Sequence, residues 1–291
     1  GSGLVGSEMC IRDRGTIIKY WKSGENMTDF KFKETYSLDD LLEIMKILRS
    51  PSGCPWDMEQ THKSIKNDFI EEVYEAIEAI DLDDTALLRE ELGDVLLQVV
   101  FHCQIEKEKN NFEFDDICDE LCKKLIVRHP HVFGELTVSD SGEVLKNWDN
   151  IKKETKGQKT YTDTLESVAK SLPALMRAQK LGKRAMRAGM DFKCTEDALE
   201  CIKLETAELE EAVKSGESEH IEEEFGDLLF SCVNTARHLG LDSEQALTKA
   251  SEKFIKRFAE TEKLVKLSGA DMKALSIDEL DVFWRQAKQN I

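Results

Sequence analysis

The sequence predicts an all-α chain made of two related helical bundles. Apolar residues recur at helical spacing almost throughout, and no stretch alternates as a strand would. Four prolines, sixteen glycines and 7% aromatics in 291 residues favour long helices over strands and tight turns. A stretch beginning near residue 72 is also written a second time, 133 residues downstream.

The duplication sets the domain organisation. Glu72 falls on Glu205, Glu75 on Glu208, Glu91 on Glu224, Gly93 on Gly226 and Asp94 on Asp227, within ten identities over 29 ungapped positions. At a shift of 129, Lys124 meets Lys253 and Arg128 meets Arg257. Trp148 and Lys152 have their i,i+4 counterpart in Trp284 and Lys288. Upstream, LLEIMKILR (41–49) corresponds loosely to ALMRAQKLG (174–182). Residues 1–36 form an N-terminal extension, and residues 1–15 match nothing downstream and are read as a non-native start. The first repeat spans 37–154, a polar linker 155–167, and the second repeat 168–291.

Within the first repeat, Ile70, Val73, Tyr74 and Ile77 form the stripe of one helix, and Leu88, Leu92, Val95, Leu96 and Val99 that of the next. DLDD (81–84) is a polar turn between them, and KSGES (214–218) supplies the turn in the second repeat. Asp115 or Asp116 is placed to cap the helix running to Arg128, and Asp242 or Ser243 its counterpart. Leu87, Leu97 and Phe101 make the helix of Asp94 apolar nearly all round, which predicts a place inside a bundle.

Composition limits function. The formal charge of −18, from 58 acidic against 40 basic side chains, argues against a grip on nucleic acid polymers or anionic membranes. Eight scattered cysteines form no CxxC pair and read as reduced thiols of a cytoplasmic protein. Cys118 and Cys122 with His129 and His131 fit no familiar zinc spacing. No apolar run reaches membrane-spanning length.

The duplicated acids are the candidate site. On a helix, i and i+3 project side by side, so a short turn lets Glu72/Glu75 face Glu91/Asp94. Glu72 and Glu75 also lie opposite the Ile70/Val73/Ile77 stripe, as a solvated face would. Four converging carboxylates repel unless a divalent cation neutralises them, and an all-oxygen set selects Mg²⁺, with Mn²⁺ as the alternative. A di-iron bundle needs a Glu-x-x-His motif, which the duplicated acids do not form. Magnesium usually completes its shell with substrate phosphates. Lys253 and Arg257 are spaced to hold phosphate oxygens, and Trp284 to stack on a base with Lys288 one turn on. Walker-type loops are absent.

These residues resemble the MazG family of nucleoside triphosphate pyrophosphohydrolases. The ExxE/ExxD pairs carry the likeness, with RSPSGCPWDMEQTH (49–62), RHPHVFGE (128–135), SLPALMRAQKLGKRA (171–185), EEEFGDLLF (222–230) and NTARHLG (234–240). The resemblance implies an all-α NTP pyrophosphatase fold and a homodimer. It further implies Mg²⁺-dependent cleavage of NTP or dNTP to monophosphate and pyrophosphate, as nucleotide-pool house-cleaning. Glu205, Glu208, Glu224 and Asp227 would be the catalytic metal ligands, with Glu72, Glu75, Glu91 and Asp94 as the first-repeat set. Lys253, Arg257, Trp284 and Lys288 would bind substrate, with Lys124, Arg128, Trp148 and Lys152 as counterparts. Tandem members often work through the second repeat. GCPWD (53–57) becomes AGMDF (188–192) in the second repeat, so a role for Trp56 cannot be shared. The alternatives are a narrower dUTP or phosphoribosyl-ATP pyrophosphatase, or an acidic helical scaffold without chemistry.

Overall fold

The structure, a computed structural model, describes residues 30–144, 147, 148, 151 and 157–291. The N-terminal start and Lys152 therefore lie outside the described residues. The described residues are helical with no strand, and the chain divides into two compact units, Gly1–Val144 and Leu145–Ile291.

The first unit contains α1 (Leu38–Leu48), α2 (Pro55–Glu59), α3 (Lys66–Asp81), α4 (Thr85–Glu108), α5 (Phe114–Arg128) and α6 (Pro130–Phe133). Ser37 and Asp40 form a capping box that starts α1. Asp84 ends the expected turn by accepting from the amides of Ala86 and Leu87, which starts α4. The cap of α5 is Glu113, boxed with Asp116, two to three residues earlier than expected. Packing of α1 and α4 closes a core of Met45, Ile65, Val100, Phe101 and Ile105, flanked by Leu41, Leu42, Leu97 and Phe114.

The second unit contains α7 (Tyr161–Glu166), α8 (Ala174–Arg187), α9 (Thr195–Ser215), α10 (Ser218–His238), α11 (Ser243–Leu267), a 3₁₀ turn (Met272–Ala274) and α12 (Ile277–Asn290). Part of the expected linker is thus helical. Thr160 and Asp163 box the start of α7, which buries Thr164 and packs on α8. Gly216 closes α9 at φ 75°, a left-handed position that glycine reaches without Cβ strain. Asp242 caps α11 through the Gln245 amide, as expected. The α9/α10 pair packs closely where Ala198 and Ala212 are fully buried.

Each unit is organised around one antiparallel hairpin, α3/α4 or α9/α10, with α1 on α4 and α8 on α10 in corresponding places. The apolar stripe of α3 overturns one expectation. Ile70, Val73, Tyr74 and Ile77 are exposed, and so are Leu92 and Leu96 of α4. The face of α3 turned inward carries Glu72, Glu75, Ala76 and Ala79 instead, the two alanines being buried. Small residues let the helices approach closely, which places the larger side chains outside the hairpin. The helix of Asp94 is consequently uncovered on one side. In the second unit Leu204, Val213, Phe225, Leu229 and Phe230 are exposed likewise.

Candidate active site

The hairpin geometry brings the acids together. In the first unit one carboxylate oxygen each from Glu72, Glu91 and Asp94 lies within 4.8 Å of the others. Glu75 completes the group, its carboxyl hydrogen-bonded to that of Glu91. In the second unit Glu205, Glu224 and Asp227 meet within the same limit, and the charge of Glu208 acts on Glu205. Three of the four predicted acids therefore converge in each unit, with the fourth at the edge.

Electrostatics record the crowding. Burial pushes the Glu72 carboxyl from an ordinary 4.5 up to about 7, helped by the charges of Asp94, Glu75, Glu91 and Glu71. Glu91 is raised by burial, then by the charge and hydrogen bond of Glu75. Asp94 is raised by burial and by Glu90. Glu205 is raised by burial and by Glu208, against a thiol hydrogen bond from Cys201 at 3.7 Å. Among the described residues no Lys or Arg pairs with either trio, so the negative charge is compensated by proton uptake or by a cation.

The donor set fits a hard divalent ion. Ligand oxygens on opposite sides of Mg²⁺ stand about 4.2 Å apart, from bonds of about 2.1 Å. Of three octahedral ligands at most one pair is opposite and the others stand about 3 Å apart, so oxygens within 4.8 Å of one another reach a common ion by side-chain adjustments of up to about 2 Å.

The second-unit basic and aromatic residues gather on the α11/α12 pair. Lys253 is exposed and Arg257 half-buried on α11, with the Arg257 Nε buried and without a hydrogen-bond partner. Trp284 of α12 lies on Phe254 of α11, ring centroids 5.3 Å apart, and Lys288 is exposed one turn on. Among the described residues no hydrogen bond or ion pair joins this group to the acids. In the first unit Lys124 is exposed and Arg128 half-buried on α5, whose Leu121, Leu125, Ile126 and Val127 are exposed. Trp148 is partly exposed and falls beyond the division between the units. Of the first-repeat quartet only Lys124, Arg128 and Trp148 are among the described residues. Among the described residues the Cys118, Cys122, His129 and His131 side chains form no metal-binding cluster, and His129 bonds the Leu125 carbonyl.

A model of the MazG nucleotide pyrophosphohydrolase domain matches twice, over residues 60–133 and 195–260. The chain is 46% identical over 250 residues to the nucleoside triphosphate pyrophosphohydrolase/pyrophosphatase MazG of Thermotoga maritima, covering 86% of this chain and 95% of that protein. The chain belongs to the MazG family. It is 43% identical over 255 residues to the nucleoside triphosphate pyrophosphohydrolase of Escherichia coli K12, covering 87% and 97% of the two chains. It is 43% identical to the uncharacterized protein YabN of Bacillus subtilis, across 84% of this chain and 50% of that one. Each MazG match contains one carboxylate trio and one Lys/Arg pair.

Several MazG-like motifs hold the hairpins in place. Arg49 of RSPSGCPWD is buried, fork-bonded to Glu108 (2.9 and 2.8 Å), and its Nη1 donates to the carbonyls of Asp57 and Gln60. Gly53 in the same loop has no space for a side chain, since a Cβ would stand 2.1 Å from the Ile47 carbonyl oxygen. In the second unit Arg237 of NTARHLG pairs instead with Asp191 of AGMDF. Sequence reasoning missed three further groups. His62 Nδ1 bonds His102 Nδ1 at 2.7 Å and its Nε2 bonds Glu106; residues 40 apart gave no local signal. Cys201 and His220 flank the second-unit acids, each four residues before a ligand candidate, a spacing that was available in the sequence.

Proposed function

We propose that the chain hydrolyses nucleoside triphosphates, ribo or deoxy, between the α- and β-phosphates at the carboxylate trio of the second unit. The observation that carries this reading is the convergence of Glu205, Glu224 and Asp227 in a MazG chain, with a basic and aromatic group on the same unit. Mg²⁺ is the proposed ion, with Mn²⁺ as substitute. When bound, it supplies positive charge to the triphosphate and activates water. Glu205, Glu224 and Asp227 hold it, with Glu208 beside them. Glu205 or Glu208 accepts the proton of the attacking water. Lys253 and Arg257 bind phosphate oxygens and offset charge that builds on the leaving pyrophosphate. Trp284 stacks on the base and Lys288 adds a second cationic contact.

The first unit serves structure. Its Glu72, Glu75, Glu91 and Asp94 nevertheless retain the makings of a cation site. The working form is a homodimer. The exposed faces of α3/α4 and α9/α10 carry large apolar side chains, each worth about 1.5–3 kcal/mol when fully buried. Gly93 and Gly226 sit on these hairpins in helix interiors, where a Cβ would meet nothing within 4 Å in the chain itself. A glycine retained at that cost suits close approach of another chain. A cytoplasmic location accords with the seven free thiols of the described residues and with nucleotide-pool house-cleaning. No described helix is long and apolar enough to cross a membrane.

Product analysis tests this reading: each NTP and dNTP, dUTP included, with and without Mg²⁺. The expected products are the monophosphate and pyrophosphate, formed only with the ion. Orthophosphate and diphosphate, or no turnover of any nucleotide, would overturn it.

A further inference from the structure

The two carboxylate trios are not equivalent, and the difference lies beside one acid. In the second unit His220 Nε2 stands 3.1 Å from Glu224 Oε1, one helical turn away along α10. The Glu224 side chain is 15% exposed and that of His220 45%, so the imidazole covers the outer side of a mostly buried carboxylate. At the matching position of α4 the first unit carries Leu87, which has no donor.

The geometry assigns His220 as a positioning residue for cation binding in the second repeat. The inference rests on the reading of Glu205, Glu224 and Asp227 as cation ligands. The ring N–H engages one oxygen of Glu224, fixes the carboxylate rotamer, and leaves the other oxygen for the ion. A ligating carboxylate held by such a hydrogen bond is oriented before the ion arrives, and loss of partners of this kind typically lowers metal affinity 10–100-fold. Half-exposure of His220 sets the expectation at the lower end of that range. The first repeat has Leu87 in the corresponding place, which offers Glu91 no such hydrogen bond. Affinity for the cation therefore divides between the repeats, with the second the stronger.

The test uses the full chain carrying Glu91→Gln and Asp94→Asn, so that Mn²⁺ calorimetry reports the second repeat alone. His220→Leu, which installs the first-repeat residue, is expected to weaken Mn²⁺ binding about tenfold with the helical circular-dichroism signal intact. His220→Gln keeps an N–H donor within i,i+4 reach and is expected to restore affinity to within about threefold of the parent. Equal affinity in His220→Leu and the parent would overturn the inference, and so would a glutamine variant as weak as the leucine one. Glu224→Ala with Asp227→Ala separates the two levels. Loss of binding there with no effect of His220→Leu sinks only the positioning role. Binding that survives the double alanine substitution sinks the site itself.

Discussion

Replacing Glu72 by glutamine removes one charge from a crowded trio while keeping its shape. The Glu72 carboxyl is raised from 4.5 to about 7, by burial first and by Asp94, Glu75 and Glu91 next. The folded chain therefore keeps this proton at pH values where the unfolded chain has lost it. Stability of the cation-free protein falls as pH rises from 4.5 through about 7, and the loss is complete above that. At about 1.4 kcal/mol per pH unit the ceiling is about 3 kcal/mol. Partial solvent access to the carboxyl lowers this to about 1–2 kcal/mol. Glu72→Gln is insensitive to this titration, so at pH 8 in EDTA it should melt about 5 °C above the parent, and at pH 5 close to it. Mg²⁺ should raise the first-unit transition of the parent at pH 8 and leave the variant nearly unmoved. Scanning calorimetry at the two pH values, with and without the ion, reads all four cases. A variant-minus-parent difference that is the same at pH 5 and pH 8, or a variant that melts lower at pH 8, would refute the reasoning.

Other consequences are more local. Gly53→Ala forces a Cβ onto the Ile47 and Leu48 carbonyl oxygens, and a urea melt of the first unit should lose about 3 kcal/mol. Gly226→Ala meets no atom of its own chain, so it should stabilise α10 by up to about 1 kcal/mol. Sedimentation equilibrium should show a weaker dimer all the same; unchanged association would remove this helix face from the interface. Lys253→Ala and Arg257→Ala should each raise KM for NTP about 10–100-fold, the value of one charge-assisted phosphate contact, without loss of helical signal. An unchanged KM in either variant would remove that residue from the substrate site.

Much of this was legible in the chain because duplication isolates the residues that matter. Among ten acids of residues 71–100, the four in register with Glu205, Glu208, Glu224 and Asp227 are those found together on the hairpins. Helix boundaries followed in part from the turn acids: Asp242 caps where expected, and Asp84 of the expected turn caps α4. The orientation of α3 did not follow. Apolar periodicity identifies a helix and its apolar face, but whether a hairpin partner or a second chain covers that face depends on how closely the helices approach. Ala76 and Ala79 set that distance, and they drew Glu72 and Glu75 inward. Contacts distant in sequence were equally hidden, as with Arg49 on Glu108 and His62 on His102. The Lys253 group was visible as a spacing, whereas its support by Phe254 needed the packing of α11 on α12.

The central claim is that the second-unit carboxylates carry the chemistry. Pyrophosphate release from NTP in Mg²⁺ should be measured for the parent, for Glu224→Ala with Asp227→Ala, and for Glu91→Ala with Asp94→Ala. Turnover should vanish in the second-unit pair, with the helical signal retained, and persist in the first-unit pair. Full turnover by the Glu224/Asp227 variant would contradict the account.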